Sequence, residues 1–299
     1  MPEQNTIVDV ANLSRSFGSQ EALADVSLSV PRGGVFGLVG ENGAGKSTLI
    51  KHILGLWRAE RGTVRVFGLD PVSDPVPVLG RIGYLSEQPD LPEWMRVREL
   101  MRYTQAFYPR WDESYANSMC EQFGLNSGAR IRTLSKGHRA KLALLAAQAH
   151  RPDLLLLDEP SAGLDPIVRN DILAAIIRTV ADEGRTVFFS SHLLEEVERV
   201  SDHIAMLHEG KLVLCGPLDE IKAQHRLVTL QFETPQRTPP FIPGALSVSG
   251  AGREWTIVSH RAQGAPPNAV QPGSRIVDER VPSLNDIFVA HAPQVQFHA

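Results

Sequence analysis

The nine residues GENGAGKST at positions 40–48 decide the fold. They fit the pattern GxxxxGK(S/T): Gly40, Gly45, Lys46 and Ser47 hold its fixed positions, Asn42 and Gly43 lie between them, and Thr48 follows. Glycines let such a loop bend so that backbone N–H groups converge on phosphate oxygens. The lysine adds a positive point charge, and the hydroxyl is a ligand for Mg²⁺. The flanks suit the same reading. Residues 35–39 (VFGLV) are a short apolar run of strand type, and STLIKHILGLW from Ser47 onward has helical periodicity. Strand, glycine loop and helix in this order imply nucleotide binding within an α/β core.

Working outward, the strand–loop–helix order recurs in DLLLLDEP (153–160) and PIVRNDILAAIIRTVADEG (166–184), then in RTVFFSSH (185–192) and LLEEVERVSD (193–202). Buried apolar strands alternating with helices predict a mostly parallel sheet. Upstream, TIVDVANL and ALADVSLSV alternate apolar and polar residues around a turn containing Gly18, the pattern of half-exposed strands. Residues 90–130 differ: they are helical in period and hold Trp94, Tyr103, Phe107, Tyr108 and Trp111, as in a small helical insert.

A second shift comes near residue 225. Nine of the 21 prolines lie beyond it, among them Pro239-Pro240 and Pro266-Pro267. Short strand-like pieces follow: RLVTLQF, then ALSVS and EWTIVS around Gly250 and Gly252, then RIVDERV. The ending SLNDIFVAHA carries a capping-box pattern in Ser283 and Asp286. This predicts a small α+β domain over 225–299 behind a first domain over 1–224.

Composition narrows the function classes. A chain of 299 residues with 42% apolar content has enough material for about two domains and their cores. With 30 basic against 34 acidic residues, no strong excess of positive charge points to nucleic acid. No apolar run approaches the ~18–20 residues of a membrane-spanning helix, and the polar start MPEQNTIVDV does not read as a secretory signal. Two cysteines, Cys120 and Cys215, exclude a disulfide scaffold. A soluble, cytoplasmic protein without its own anchor is expected.

The second chemical motif is Asp158-Glu159-Pro160, at the end of the apolar run 154–157. A strand ending in Asp sets a carboxylate at the sheet's carboxyl edge, where α/β ligands bind. Asp158 can there hold Mg²⁺ through water, and Glu159 can polarise an attacking water.

Taken with Ser161-Ala-Gly-Leu-Asp165 and with His192 after VFFSS, these residues resemble the ATP-binding cassette (ABC) ATPases. Gln88 after IGYLSE is similar to that family's glutamine loop. Leu134-Ser135-Lys136-Gly137-His138 stands where its LSGGQ signature belongs, and Phe17 where its adenine-stacking aromatic sits. The resemblance covers residue 6 to about 224, with every motif in order. It implies a P-loop NTPase core with an antiparallel β subdomain and a helical insert. It also implies these roles: Phe17 stacks on the base, and Gly40 to Thr48 hold the phosphates. Ser47, Gln88 and Asp158 serve Mg²⁺ and the lytic water, Glu159 is general base, and His192 touches the γ-phosphate.

The signature departs from the family pattern at Lys136, in place of a glycine, and at His138, in place of glutamine. In the family this segment caps the nucleotide of the opposite subunit, and Ser135 and Gly137 retain that chemistry. Lys136 either adds charge near the phosphate or sits in solvent, and His138 offers a route to pH sensitivity.

One phosphate loop and one signature per chain imply dimerisation around two ATP, with a second copy or a related cassette. Any transport must run through separate transmembrane permease subunits, which would hold the chain at the cytoplasmic face of the membrane. Residues 89–100 are where such cassettes receive the permease, and Trp94 and Met95 suit either that contact or the helical core. The C-terminal ending is similar to tails of ABC-2-type exporter ATPases. The alternative is a non-transport ABC ATPase in cofactor assembly, or one associated with nucleic acid or ribosomes.

Overall fold

In the computed structural model the described residues are 5–181, 184–260 and 273–291; Pro266-Pro267 lie outside them. In chain order the first part runs β1 (Thr6–Phe17), β2 (Gln20–Pro31), β3 (Gly34–Val39), α1 (Lys46–Ile53), β4 (Arg61–Val66), α2 (Pro75–Leu79), β5 (Ile82–Leu85), α3 (Val97–Gln105), α4 (Glu113–Gln122), α5 (Lys136–Gln148), β6 (Leu154–Asp158), α6 (Pro166–Ala181), β7 (Thr186–Ser191), α7 (Leu194–Val200), β8 (His203–His208) and β9 (Lys211–Pro217). The rest comprises α8 (Leu218–Gln224), β10 (His225–Gln236), β11 (Ala245–His260), β12 (Ser274–Arg280) and α9 (Leu284–His291).

The chain divides into two compact units, Met1–Cys215 and Gly216–Ala299. The composition shift near 225 lies nine residues further on, because α8 packs on β10 and goes with the second unit.

In the first unit a six-stranded sheet has the order β5-β6-β7-β3-β8-β9. Strands β5, β6, β7, β3 and β8 pair in parallel. Their residues are buried nearly throughout, as the unbroken apolar runs predict: Leu154, Leu156, Leu157 and Val187 are fully buried. Each such side chain contributes about 2 kcal/mol of transfer free energy. Phe36 and Phe188 face each other across β3 and β7, and their rings stack at 5.3 Å. The alternating N-terminal segments form an antiparallel sheet of order β2-β1-β4, with Gly18 in the β1–β2 turn. Helices α3 and α4 occupy the aromatic-rich stretch.

Because the central strands run in parallel, their C-terminal ends share one edge. The loops after β3, β5, β6 and β7 leave from it, bringing residues 40–45, Gln88, Asp158-Glu159 and His192 to one place.

In the second unit β11-β10-β12 form an antiparallel sheet. Alternation on β10 and β11 puts Val228, Leu230, Phe232, Trp255 and Ile257 into one cluster, and Leu227, Val258 and Ala290 of α9 into another. The two pieces expected around Gly250 and Gly252 are one continuous strand, β11. Register slips between Gln231 and Gln236 let it pass the glycines without ending. The capping box forms as expected: Asp286 N–H donates to Ser283 Oγ at 3.1 Å, and Ser283 N–H donates to Asp286 Oδ2 at 2.9 Å.

Candidate functional site

Gly45 ends the phosphate loop at φ +105°, a conformation that side chains disfavour, and a Cβ there would meet Ala22 O at 2.5 Å. Lys46 follows as the first residue of α1, so the loop's N–H groups and the helix N-terminus point the same way. Gly43 has open space where a Cβ would stand, and Asn42 is exposed. The bent loop at a helix N-terminus thus offers room and donors to phosphate. Ser47 and Thr48 are half-buried on the first turn of α1.

The Lys46 ammonium is buried and held three ways. It donates to Gly40 O at 2.7 Å and Glu41 O at 3.1 Å, and it lies 3.1 Å from Glu159 Oε1. Glu159 is buried too and adopts φ +50°, strained for a residue with a side chain. That kink turns its carboxylate out of strand direction, while its N–H donates to Ser190 Oγ at 2.9 Å. His192 completes the group: its Nδ1 is 2.7 Å from Glu159 Oε2, leaving Nε2 for a ligand. Asp158 accepts from Ser190 Oγ at 2.7 Å, so one serine braces both carboxylate residues. On neighbouring β5, burial pushes the Tyr84 phenol up to about 12, with the Asp158 charge adding to the effect.

Gln88 is exposed, and it lines with Glu159, Lys136 and Gly163 a cavity of about 460 Å³. Phe17 at the end of β1 is 42% exposed, with the Trp57 ring inclined at 62° to it, centre to centre 5.1 Å, and the Arg15 guanidinium 4.9 Å from its ring centre. Sequence reasoning missed Trp57 and Ser190. The first is the last residue of the helical pattern STLIKHILGLW, and the second hides in an apolar strand, VFFSS.

Ser135 is the N-cap of α5 and accepts from His138 N–H at 3.2 Å, while its Oγ also lies 2.9 Å from His138 Nδ1. Gly137 is buried, and a Cβ there would meet Val168 Cγ2 of α6 at 2.7 Å. Lys136 is exposed, but its side chain does not extend freely into solvent. Its ammonium donates to Gly163 O at 3.0 Å, tying the signature to the loop 161–165 of the same chain.

Trp94 is 69% exposed, so it is not core; Met95 is half-buried. No helix among the described residues is long and apolar enough to cross a membrane.

Comparison with known proteins agrees with this architecture. A family model described as ABC transporter matches residues 23–162. The ABC transporter ATP-binding protein YtrB of Bacillus subtilis (strain 168) is 31% identical over 228 residues, covering 76% of this chain and 78% of the relative. The daunorubicin/doxorubicin resistance ATP-binding protein DrrA of Streptomyces peucetius is 34% identical over 221 residues, covering 72% and 67%. A solved ATP-binding subunit of an ABC transporter superposes with a TM-score of 0.67 at 32% identity, over 73% of this chain and 93% of that one. Residues 40–48, the paired acids and His192 therefore stand on a known frame, and the chain belongs to the ABC transporter ATP-binding proteins, the ATP-hydrolysing subunits of ABC transporters.

Proposed function

We propose that this chain binds MgATP at the edge of the six-stranded sheet, closes on a second cassette around two ATP, and drives separate permease subunits to move a cargo outward. The observation that carries the reading is the line Lys46–Glu159–His192, with separations of 3.1 and 2.7 Å, the first two side chains buried and the imidazole exposed. A lysine for the phosphates, a carboxylate for the water and an imidazole for the γ-phosphate stand within one reach.

In this reading Phe17 stacks on the base. Gly40, Asn42, Gly43, Gly45, Lys46 and Thr48 hold the phosphates, and Ser135 and Gly137 cap the nucleotide of the opposite cassette. The Ser47 hydroxyl and the Asp158 carboxylate, with Gln88, are the oxygen donors for Mg²⁺. A few hard oxygen donors suit that ion, which when bound would neutralise phosphate charge. Glu159 takes the proton of the attacking water, and His192 orients the γ-phosphate. Gln88 faces the same cavity as Glu159, where it can follow the water.

Coupling to a permease would place the chain at the cytoplasmic face of the membrane. The exposed Trp94 supports a docking role for residues 89–100. The outward direction draws on the likeness of the C-terminal ending to exporter tails and on the drug-resistance name of DrrA. The test is a Glu159→Gln chain given MgATP: an ATP-bound dimer should accumulate on size exclusion, and a chain that stays monomeric and bound to ATP overturns the sandwich. Affinity purification from detergent-extracted membranes should bring down a multi-spanning protein. Recovery of the chain without one favours a non-transport ATPase.

A further inference from the structure

The carboxylate of Glu196, on α7, is almost fully buried and lies outside the set of residues assigned above. One of its oxygens, Oε2, accepts from Ser161 Oγ at 2.5 Å and from Ser191 Oγ at 3.3 Å. The other, Oε1, lies 3.1 Å from Arg169 Nε on α6. Both serines are buried. Ser161 comes two residues after Glu159, and Ser191 comes one before His192. A single carboxylate oxygen thus joins the exit of β6 to the exit of β7, directly behind the two side chains that face the γ-phosphate.

The anchorage is stiff on every side. Asp165, at the far end of the loop that Ser161 begins, accepts from the N–H groups of Ile167 and Val168 at 3.0 and 3.1 Å and so fixes the start of α6. Ser191 Oγ also accepts from Leu193 N–H at 3.0 Å, which sets the turn that carries His192. A buried charge is costly unless paired and hydrogen-bonded, and Glu196 has both kinds of partner. A carboxylate in this place binds two loops with one atom, which an apolar side chain of the same volume cannot do.

We infer that Glu196 is a positioning residue for ATP hydrolysis: by clamping Ser161 and Ser191 it fixes the distance between Glu159 and His192. The inference rests on the roles proposed for those two residues. Its reach extends further, because Gly163 in the clamped loop receives Lys136 of the signature. Glu196 therefore also fixes where the signature's own loop contact stands.

The test compares the full chain with Glu196→Ala, Glu196→Gln, the double variant Ser161→Ala/Ser191→Ala, and Glu159→Gln as the reference for lost chemistry. The expected result is a kcat at least tenfold lower for Glu196→Ala, with the KM for ATP within about threefold of the parent. An ATP-bound dimer should accumulate as it does for Glu159→Gln, and Glu196→Gln should keep more activity than Glu196→Ala. The double serine variant removes the same hydrogen bonds while leaving the Glu196–Arg169 ion pair in place. It should lose kcat in the same direction, and adding Glu196→Ala to it should cost less than twofold more. If Glu196→Ala does not fold, the serine pair decides. A lowered melting temperature with unchanged kcat per folded molecule overturns the inference, and so does a rise in KM with kcat intact. Full activity of Glu159→Gln would instead overturn the assignment on which it rests.

Discussion

Lys46 Nζ and Glu159 Oε1 stand 3.1 Å apart, each side chain 6% exposed, so the proposed phosphate ligand and the proposed base form an ion pair inside the protein. Removing one member of a buried pair strands the other. Lys46→Ala should therefore abolish nucleotide binding and also lower the stability of the nucleotide-free chain by about 3 kcal/mol. Urea unfolding checks the second effect, and Glu159→Gln in the Lys46→Ala background should recover most of it. A Lys46→Ala chain as stable as the parent would show that the pair does not matter to the fold.

Phe17 is partly exposed, with Trp57 inclined against it and Arg15 over its ring. Stacking of a base on an aromatic ring is worth about 1–3 kcal/mol, so Phe17→Ala should raise the KM for ATP about fivefold or more at nearly constant kcat. Phe17→Tyr should restore it. Trp57 fluorescence should respond to ATP in the parent and respond less in Phe17→Ala. An unchanged KM removes Phe17 from the base site.

Gly137 sits where α5 meets α6, with Val168 in the way of any side chain. Alanine there would gain about 1 kcal/mol of helix propensity yet meet a branched side chain that has little room to move. Gly137→Ala should be net destabilising by about 1–2 kcal/mol, and Val168→Ala in the same chain should relieve it. A stabilised single variant would mean that the two helices part freely.

His150 is buried, stacked on Tyr108 at 3.8 Å, with its Nε2 3.0 Å from Ile82 O. Burial lowers its pKa to about 4, against about 6.5 in the unfolded chain. The unfolded state therefore binds a proton first as the pH falls. This contribution is whole above pH ~6.5 and is lost between about 6.5 and 4, by up to about 3 kcal/mol. Urea unfolding at neutral and acid pH should show the slope, and His150→Phe should flatten it. In the second unit His225 and His291, with Nε2 atoms 2.9 Å apart, are both lowered, burial being the larger cause, so their contribution has the same sign.

Trp94 offers a large exposed ring that the fold does not need. Trp94→Ala should leave ATPase activity and melting temperature nearly unchanged and cut recovery of the membrane partner. Undiminished recovery would move the docking surface elsewhere.

The sequence makes the parallel core legible because phosphate binding and sheet burial both leave local patterns. Residues 40–48 and 154–159 carry chemistry and secondary structure in the same few positions. What stayed hidden depends on distance along the chain. Glu196 lies in LLEEVERV, where two adjacent acids give no sign of which one is buried. Only the approach of Ser161 and Ser191 makes one of them a buried clamp. Lys136 finds Gly163, 27 residues away, and no spacing rule couples them. The left-handed turn at Glu159 is likewise set by the strands around it and not by a glycine. The limits of α8 and β11 were blurred because glycine and proline mark bends in a strand as readily as its ends.

The cap at Ser135 has a thermodynamic consequence for the proposed two-cassette assembly. Its hydroxyl already accepts from His138 N–H and lies 2.9 Å from His138 Nδ1, so the serine is held in place before any phosphate arrives. The cap satisfies one of the first N–H groups of α5 and leaves the others for an anion. A γ-phosphate from the opposite cassette then meets a side chain whose rotamer is already set. Closure at this end thus orders little of the signature, and the entropic cost of each turnover is correspondingly small.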